Sequence, residues 1–308
     1  MILTVTLNTA LDITYTVPAL VPHTGHRVGD VRERPGGKGL NVARVLTALG
    51  YESVVTGFVG GPTGAVVREL LAPLAPHDAL VPVAGATRRT VAVVDASSGD
   101  TTQLNEPGPT VGPEEWAAFL ASYDSLVREA AAVALCGSLP PGVHVGAYAE
   151  LIRRARAAGA PVLLDTSGEP LRRGIAARPD LVKPNAEELA QLTGGREPLR
   201  AARDARRRGA HAVVASLGAE GVMAVTAKGV WHAIPPAPVK GNPTGAGDSA
   251  VAGLLSGLVD GLSWPDRLSR AVALSTATVL APAAGEFDPT AYEDLLERVT
   301  VTEQAVAA

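Results

Sequence analysis

The chain has 308 residues, 46% of them hydrophobic and only 19% charged, with a net charge of −4. That is enough apolar material for one large α/β domain, or a domain with a smaller appendage, and the mild acidity leaves no basic footprint for nucleic acid. The single cysteine, Cys136, excludes an intramolecular disulfide and a cysteine-built zinc site; inside its apolar run it reads as a small core residue rather than a reactive thiol.

In chain order, residues 1–7 (Met-Ile-Leu-Thr-Val-Thr-Leu) lack the basic stretch of a signal peptide and read as a buried strand. No apolar run approaches the roughly 18 residues of a membrane span, so the cytoplasm is the expected location. Residues 12–34 and 88–103 show β-type alternation with no helix inside. Within the second, 90–95 and 101–104 flank the polar turn Ser97-Ser98-Gly99-Asp100 and spell a hairpin. These two segments are expected to join in a small sheet that projects from the main domain.

Short β-type runs at 54–58, 133–136, 162–165, 181–182 and 213–216 alternate with amphipathic stretches. Tyr148, Leu151, Ile152 and Ala155 recur at helical spacing, with Gly159 as a stop; Arg203 to Arg208 resemble the wet face of a helix. Strand, helix, glycine, strand is the rhythm of βαβ units and of a mainly parallel sheet covered on both faces. With no repeat and no low-complexity linker, residues 1–308 read as one domain. The acidic, Ala-rich tail after Val301 is expected to fray.

The most informative stretch is Asn242-Pro243-Thr244-Gly245-Ala246-Gly247-Asp248. Val251, Leu254, Leu255 and Leu258 follow at helical spacing, so the glycines sit at a helix N-terminus, where unpaired N–H groups and the dipole favour an anion. Asp248, in the first turn, is placed to take a proton from a hydroxyl beside bound phosphates. A first-turn acid with no further role accounts for Asp248 alone about equally well.

A second cluster, Pro35-Gly36-Gly37-Lys38-Gly39-Leu40-Asn41, opens another amphipathic helix that Gly50 closes. A loop that merely needs positive φ explains the glycines but not Lys38 and Asn41 together. Neither a Walker A spacing nor a dinucleotide Gly-x-Gly-x-x-Gly follows the first strand, which counts against a P-loop enzyme and an NAD-dependent dehydrogenase.

Taken together, these clusters resemble the ribokinase-like phosphofructokinase-B family of carbohydrate kinases, from Met1 to about Leu296. The resemblance rests on Thr6-Leu7-Asn8 with Asp12, Gly36 to Arg44, Thr87-Arg88, Gly137-Ser138-Leu139-Pro140, Lys183-Pro184-Asn185 with Glu188, Ser216-Leu217-Gly218, and Thr244 to Asp248. Within the family the chain is similar to the branch that phosphorylates ketohexose monophosphates, the 1-phosphofructokinases and tagatose-6-phosphate kinases. The implied fold is a three-layer α/β/α sandwich with a mostly parallel central sheet and a small β lid over the sugar.

The implied chemistry is transfer from ATP, with Mg²⁺, to a small-molecule sugar phosphate. Asp248 would be the base, and the backbone of Gly245, Ala246 and Gly247 would stabilise the transferring phosphoryl group. Asp12, Gly37, Lys38 and Asn41 would hold the sugar, and Arg88, with Arg27 as a second candidate, its phosphate. Lys183, Asn185, Ser216, Gly218, Gly221 and Thr244 would form the ATP site, with Asn185 and Glu188 organising Mg²⁺ through water. Relatives often dimerise through the lid, so a homodimer is expected. Two departures bear on the phosphate contacts: Thr90 stands where the branch often has Asn, and Gln103 lies near where some relatives carry another Arg. A kinase of an unphosphorylated sugar or nucleoside, and a non-catalytic sugar-phosphate sensor, are the competing readings.

Overall fold

The computed structural model describes residues 1–74, 76–281 and 286–304. The chain opens with β1 (Ile2–Thr6), β2 (Ala10–Val17), β3 (Asp30–Gly36), α1 (Lys38–Ala48), β4 (Ser53–Val59) and α2 (Gly61–Leu71). Two short strands, β5 (His77–Asp78) and β6 (Val81–Pro82), precede β7 (Arg88–Asp95), β8 (Thr101–Asn105), α3 (Pro113–Leu126), β9 (Ala132–Cys136) and α4 (Ala147–Ala157). Then come β10 (Val162–Asp165), α5 (Gly168–Ala176), β11 (Leu181–Val182), α6 (Ala186–Thr193), α7 (Pro198–Arg207), β12 (Ala212–Ser216), β13 (Val222–Val225) and β14 (Val230–Ile234). The described chain finishes with α8 (Ala246–Val259), α9 (Trp264–Leu280), α10 (Pro289–Arg298) and β15 (Thr300–Gln304).

The central sheet runs β15-β14-β13-β12-β11-β10-β9-β1-β4-β5, with β6 also on β4. From β12 to β5 the pairings are parallel; β12 to β15 pair antiparallel. Continuous apolar strands such as β1 suit a sheet buried on both faces, and their alternate side chains separate the two cores. Leu3, Val5, Val133, Leu135, Val162 and Leu164 meet α3 to α7, whereas Ile2, Ala132, Ala134, Leu163, Leu181 and Val214 meet α1, α8 and α9. The expected strands form within a residue or two of their bounds, and α1, α4 and α8 are followed by Gly50, Gly159 and Gly261, all at positive φ.

One expectation changes. The stretch after Val301 is strand through Gln304: β15 pairs with β14 from Thr300↔Ile234 to Gln304↔Val230, and the rest of the tail expected to fray lies outside the described residues. Cross-strand backbone bonding to β14 outweighs the polar composition of this stretch. The antiparallel extension from β13 to β15 carries no signal as local as a helix stop, because its partners are set by long-range register.

The chain leaves β1 for β4 on one side and returns to β9 on the other, so connections diverge at β1 and open a crevice at the carboxyl ends of the parallel strands. Above it stands a separate four-stranded sheet, β3-β2-β7-β8, which begins at Ala10 and ends at Asn105, two residues beyond the expected segments at either end. Its register aligns Asp12 with Arg34 and with Thr90, and Thr90 with Asn105, putting these four side chains in one row on one face. The opposite face lays Leu11 and Ile13 against Leu40 and Val67 of α1 and α2.

Candidate active site

The carboxyl ends of the parallel strands and the polar face of the small sheet enclose a cleft of ≈ 490 Å³. It opens into a second space of ≈ 820 Å³, and the two share Gly37, Lys38, Arg88, Asn105 and Glu188. Of the residues singled out in the sequence, Asp12, Gly37, Lys38, Asn41 and Arg88 line the smaller cleft from the lid and α1. Lys183, Asn185, Glu188 and Ser216 line it from the strand ends, and Thr244, Gly245, Gly247 and Asp248 from the start of α8.

Local geometry makes this turn an anion cradle. Asn242 Oδ1 accepts the Thr244 N–H at 2.9 Å, and the Pro243 carbonyl accepts the Ala246 N–H at 3.1 Å. Gly245, at φ 86°, is the N-cap of α8, a left-handed conformation that favours glycine. The N–H groups of Gly247 and Asp248 have no partner among the described residues, and Gly247 opens toward the cleft with Lys183 Nζ beyond it.

Asp248 is only 7% exposed. Burial pushes its pKa up to about 6; Lys38 pulls it down, the Asp165 carboxylate pushes it up, and a hydrogen bond from Asn41 pulls it down again. Asn41 Nδ2 donates that bond to Asp248 Oδ2 at 2.8 Å. A carboxylate poised near 6 is mostly ionised at neutral pH yet basic enough to accept a proton.

Asp165, at the end of β10, was not among the residues selected from the sequence. It is 1% exposed, with Lys38 Nζ at 3.2 Å and Lys183 Nζ at 3.6 Å. Burial would raise its pKa, but the two ammonium groups hold it below the ordinary carboxylate range. For Lys38 burial lowers the pKa, and Asp165, Asp248 and Glu188 more than reverse this. One carboxylate thus fixes two cations on opposite walls of the cleft. A charged residue terminating an apolar strand at its carboxyl end was the available signal.

On the lid, Asp12 has its carboxyl raised by burial and lowered by Arg88 and by a hydrogen bond from Thr90. A Cβ at Gly36 would overlap that carboxylate, so the first glycine of the cluster makes room for Asp12. Arg88 Nε donates to the Asn8 carbonyl at 3.2 Å, and Nη1 to the Glu106 carbonyl and Thr90 Oγ1 at 3.3 and 3.4 Å. Thr90 therefore touches both Asp12 and Arg88. Asn8, another residue without an assigned role, donates through Nδ2 to the Pro107 carbonyl and to Ser138 Oγ, both at 3.1 Å, tying two cleft loops together.

Asn185 and Glu188 form a capping box at the start of α6: Asn185 Oδ1 accepts the Glu188 N–H and Glu188 Oε2 the Asn185 N–H, each at 2.8 Å. Helix initiation alone accounts for their spacing. The second carboxylate oxygen of Glu188 is left for the cleft, a hard oxygen donor suited to a cation that keeps most of its water, as Mg²⁺ does.

Four selected residues lie outside this cavity. Ala246 does not line it, and its N–H, expected to stabilise the phosphoryl group, is taken by the Pro243 carbonyl that closes the turn. Arg27 is exposed in the connection from β2 to β3, at the end of the lid where Thr16 pairs with Asp30, whereas Asp12 and Gly36 occupy the cleft end; it does not line the cleft of its own chain. Gly218 and Gly221 bracket a 3-10 turn after β12, both at positive φ. Gly218 faces open space, but a Cβ at Gly221 would overlap the Ala233 carbonyl of β14, so that position makes room for strand packing rather than for a ligand.

The model of the pfkB family carbohydrate kinases matches residues 5–291. A 1-phosphofructokinase of Rhodobacter capsulatus is 42% identical over 294 residues, covering 94% of this chain and 92% of that protein. The phosphofructokinase-2 of Escherichia coli superposes with a TM-score of 0.89 in its potassium complex, at 29% identity over 96% of this chain and 98% of that one. Its complex with fructose-6-phosphate gives 0.87 at 30% identity, with the same coverage. Fold, cleft and similarity agree, and the chain belongs to the pfkB family of carbohydrate kinases.

Proposed function

We propose that this protein transfers the γ-phosphoryl group of ATP to the free primary hydroxyl of a ketohexose monophosphate, giving a bisphosphate. The observation that carries the reading is the pairing in one cleft of a buried, raised carboxylate, Asp248, with a guanidinium, Arg88, that is anchored by backbone carbonyls and faces the same space. A neutral sugar would not need that cation, whereas a phosphate can take a bidentate hold on it. The name of the Rhodobacter relative puts fructose 1-phosphate first and tagatose 6-phosphate second.

In this reading Asp12 and Asn41 orient the sugar hydroxyls, and Lys38 and Gly37 close on it from α1. Asp248 takes the hydroxyl proton as the oxygen attacks phosphorus, and the N–H groups at the start of α8 hold the charge that develops on the phosphoryl oxygens. Lys183, Ser216, Gly218 and Thr244 border the nucleotide. Asn185 and Glu188 would hold Mg²⁺ through water, the ion supplying charge neutralisation between the nucleotide phosphates. Lid closure over the sugar excludes water, which would otherwise compete for the phosphoryl group.

A homodimer through the lid belongs to the same proposal. Val31 and Leu104 are 54% and 59% exposed on the sheet face turned from the cleft, and a tetrameric inhibited form is described for the Escherichia coli relative. Light scattering on a V31D/L104D variant should find a monomer where the parent is a dimer; equal masses would remove the lid as the interface.

The deciding experiment is ADP release with ATP and Mg²⁺ across fructose 1-phosphate, tagatose 6-phosphate, fructose 6-phosphate, fructose and ribose. Turnover of one phosphorylated ketohexose well above the free sugars supports the proposal. Turnover of free sugars alone overturns the part given to Arg88, and tight sugar-phosphate binding without ADP release identifies a sensor.

A further inference from the structure

Arg44 lies one turn along α1 from Asn41, on the same face, and its Nη2 donates to Asn41 Oδ1 at 3.1 Å. The other end of that amide donates to Asp248 Oδ2 at 2.8 Å. An arginine has no acceptor, so its contact with an amide admits only the oxygen, and this leaves the NH₂ group for the carboxylate. Without it, Asn41 has two orientations: NH₂ toward an ionised Asp248, or oxygen toward a protonated one. We infer that Arg44 is a positioning residue, which fixes the Asn41 amide with its NH₂ group on Asp248 and so holds the base in its ionised, proton-accepting form. The inference rests on the reading of Asp248 as the base.

The surroundings fit this part better than simple packing. Burial lowers the pKa of Arg44, and the adjacent Arg34 lowers it further, while Glu286, Asp248 and Asp12 act the other way. A buried guanidinium beside another cation is costly in a helix that could bury an aliphatic side chain there instead. Around Asp248 itself the charged groups are Lys38 from the start of α1, Asp165 at the end of β10 and Lys183 after β11, with Arg44 behind Asn41. Of these, only Arg44 acts through the amide.

The test is the pH profile of kcat for Arg44→Met, in the otherwise wild-type chain and in an Asn41→Ala background. In the wild-type background kcat should fall by ~10-fold, with the KM for ATP within ~2-fold. The acidic limb should move to higher pH by about half a unit to one unit, because losing the donor disfavours ionised Asp248. In the Asn41→Ala background the same substitution should shift the limb far less, there being no amide to orient. Arg44→Lys, which keeps a cationic donor, should restore most of kcat and return the limb. Equal shifts in both backgrounds, or an unmoved limb in Arg44→Met, would overturn the inference. If Arg44→Met does not fold, Arg44→Gln, polar but too short to reach Oδ1, serves in its place with the same two outcomes. Asp248→Asn, run alongside, separates this from the parent reading: full activity there removes Asp248 as base, whereas the coupling between Arg44 and Asn41 is still measured by the cycle.

Discussion

The floor of the cleft and its lid contribute comparable numbers of polar side chains but hold them differently. On the floor, Asp165 is 1% exposed and Lys183 5%, and the two are paired with each other. On the lid every residue of β8 is exposed, and on the face turned from the cleft Arg89, in register with Leu11, pairs with Glu106 where both are about half exposed. Charges buried together in a rigid sheet are costly to remove singly, whereas exposed pairs are worth little. The floor is therefore built to fix the chemistry, and the lid to select and release what the chemistry acts on.

The largest effect that would break this division is at the base. Asp248→Asn should lower kcat by at least ~10²-fold while leaving sugar-phosphate affinity within a few-fold, measured by ADP release and calorimetry. Retained activity would move the proton acceptor elsewhere. Next comes Asp165→Asn, which leaves Lys38 and Lys183 without their shared carboxylate; stability should drop by about 3 kcal/mol in urea unfolding. A loss below about 1 kcal/mol would mean that the two lysines are adequately solvated.

On the lid, Arg88→Met should raise the KM for the phosphorylated sugar by roughly 10- to 100-fold, with a much smaller change in kcat. A fall in kcat instead would bring the lid into the chemistry and blur the comparison. The smallest effect concerns stability and pH. Asp248 has a folded pKa of about 6 against an ordinary 3.8, so its ionisation opposes folding. That penalty is absent below pH 3.8 and complete above 6. Asp248→Asn should accordingly be more stable than the parent at pH 7.5, by on the order of 1–3 kcal/mol, and no more stable at pH 3.5. Equal stability at both values would place Asp248 in a wetter site than its burial indicates.

The same two regions differ in how far they could be read from the sequence. The glycine clusters with Lys38, Asn41 and Asp248 are contiguous, and each opens a helix with clear periodicity, so local pattern carried both residue and role. Asp165 escaped because its partners, Lys38 and Lys183, lie on other elements, and one acid at a strand end gives no hint of them. Arg27 and Gly221 are the opposite case, residues picked by type that do not line the cleft of this chain. A residue type right for the chemistry sits on the far tip of the lid in one case, and in the other its missing side chain answers to the Ala233 carbonyl of a strand that local pattern did not reveal. Asn185 and Glu188 show a spacing that serves two ends, helix initiation and cleft lining, which sequence alone does not separate.

The pairing of β15 with β14 also bears on how the protein is made. Until Thr300–Gln304 has emerged from the ribosome, β14 presents an unpaired edge to its surroundings, and such an edge is a template for a second nascent chain. Ending translation after Val299 should convert a large share of the product into sedimentable aggregate at 37 °C, with the catalytic cleft untouched; a fully soluble product would show that β14 is guarded by α9, which packs beside it.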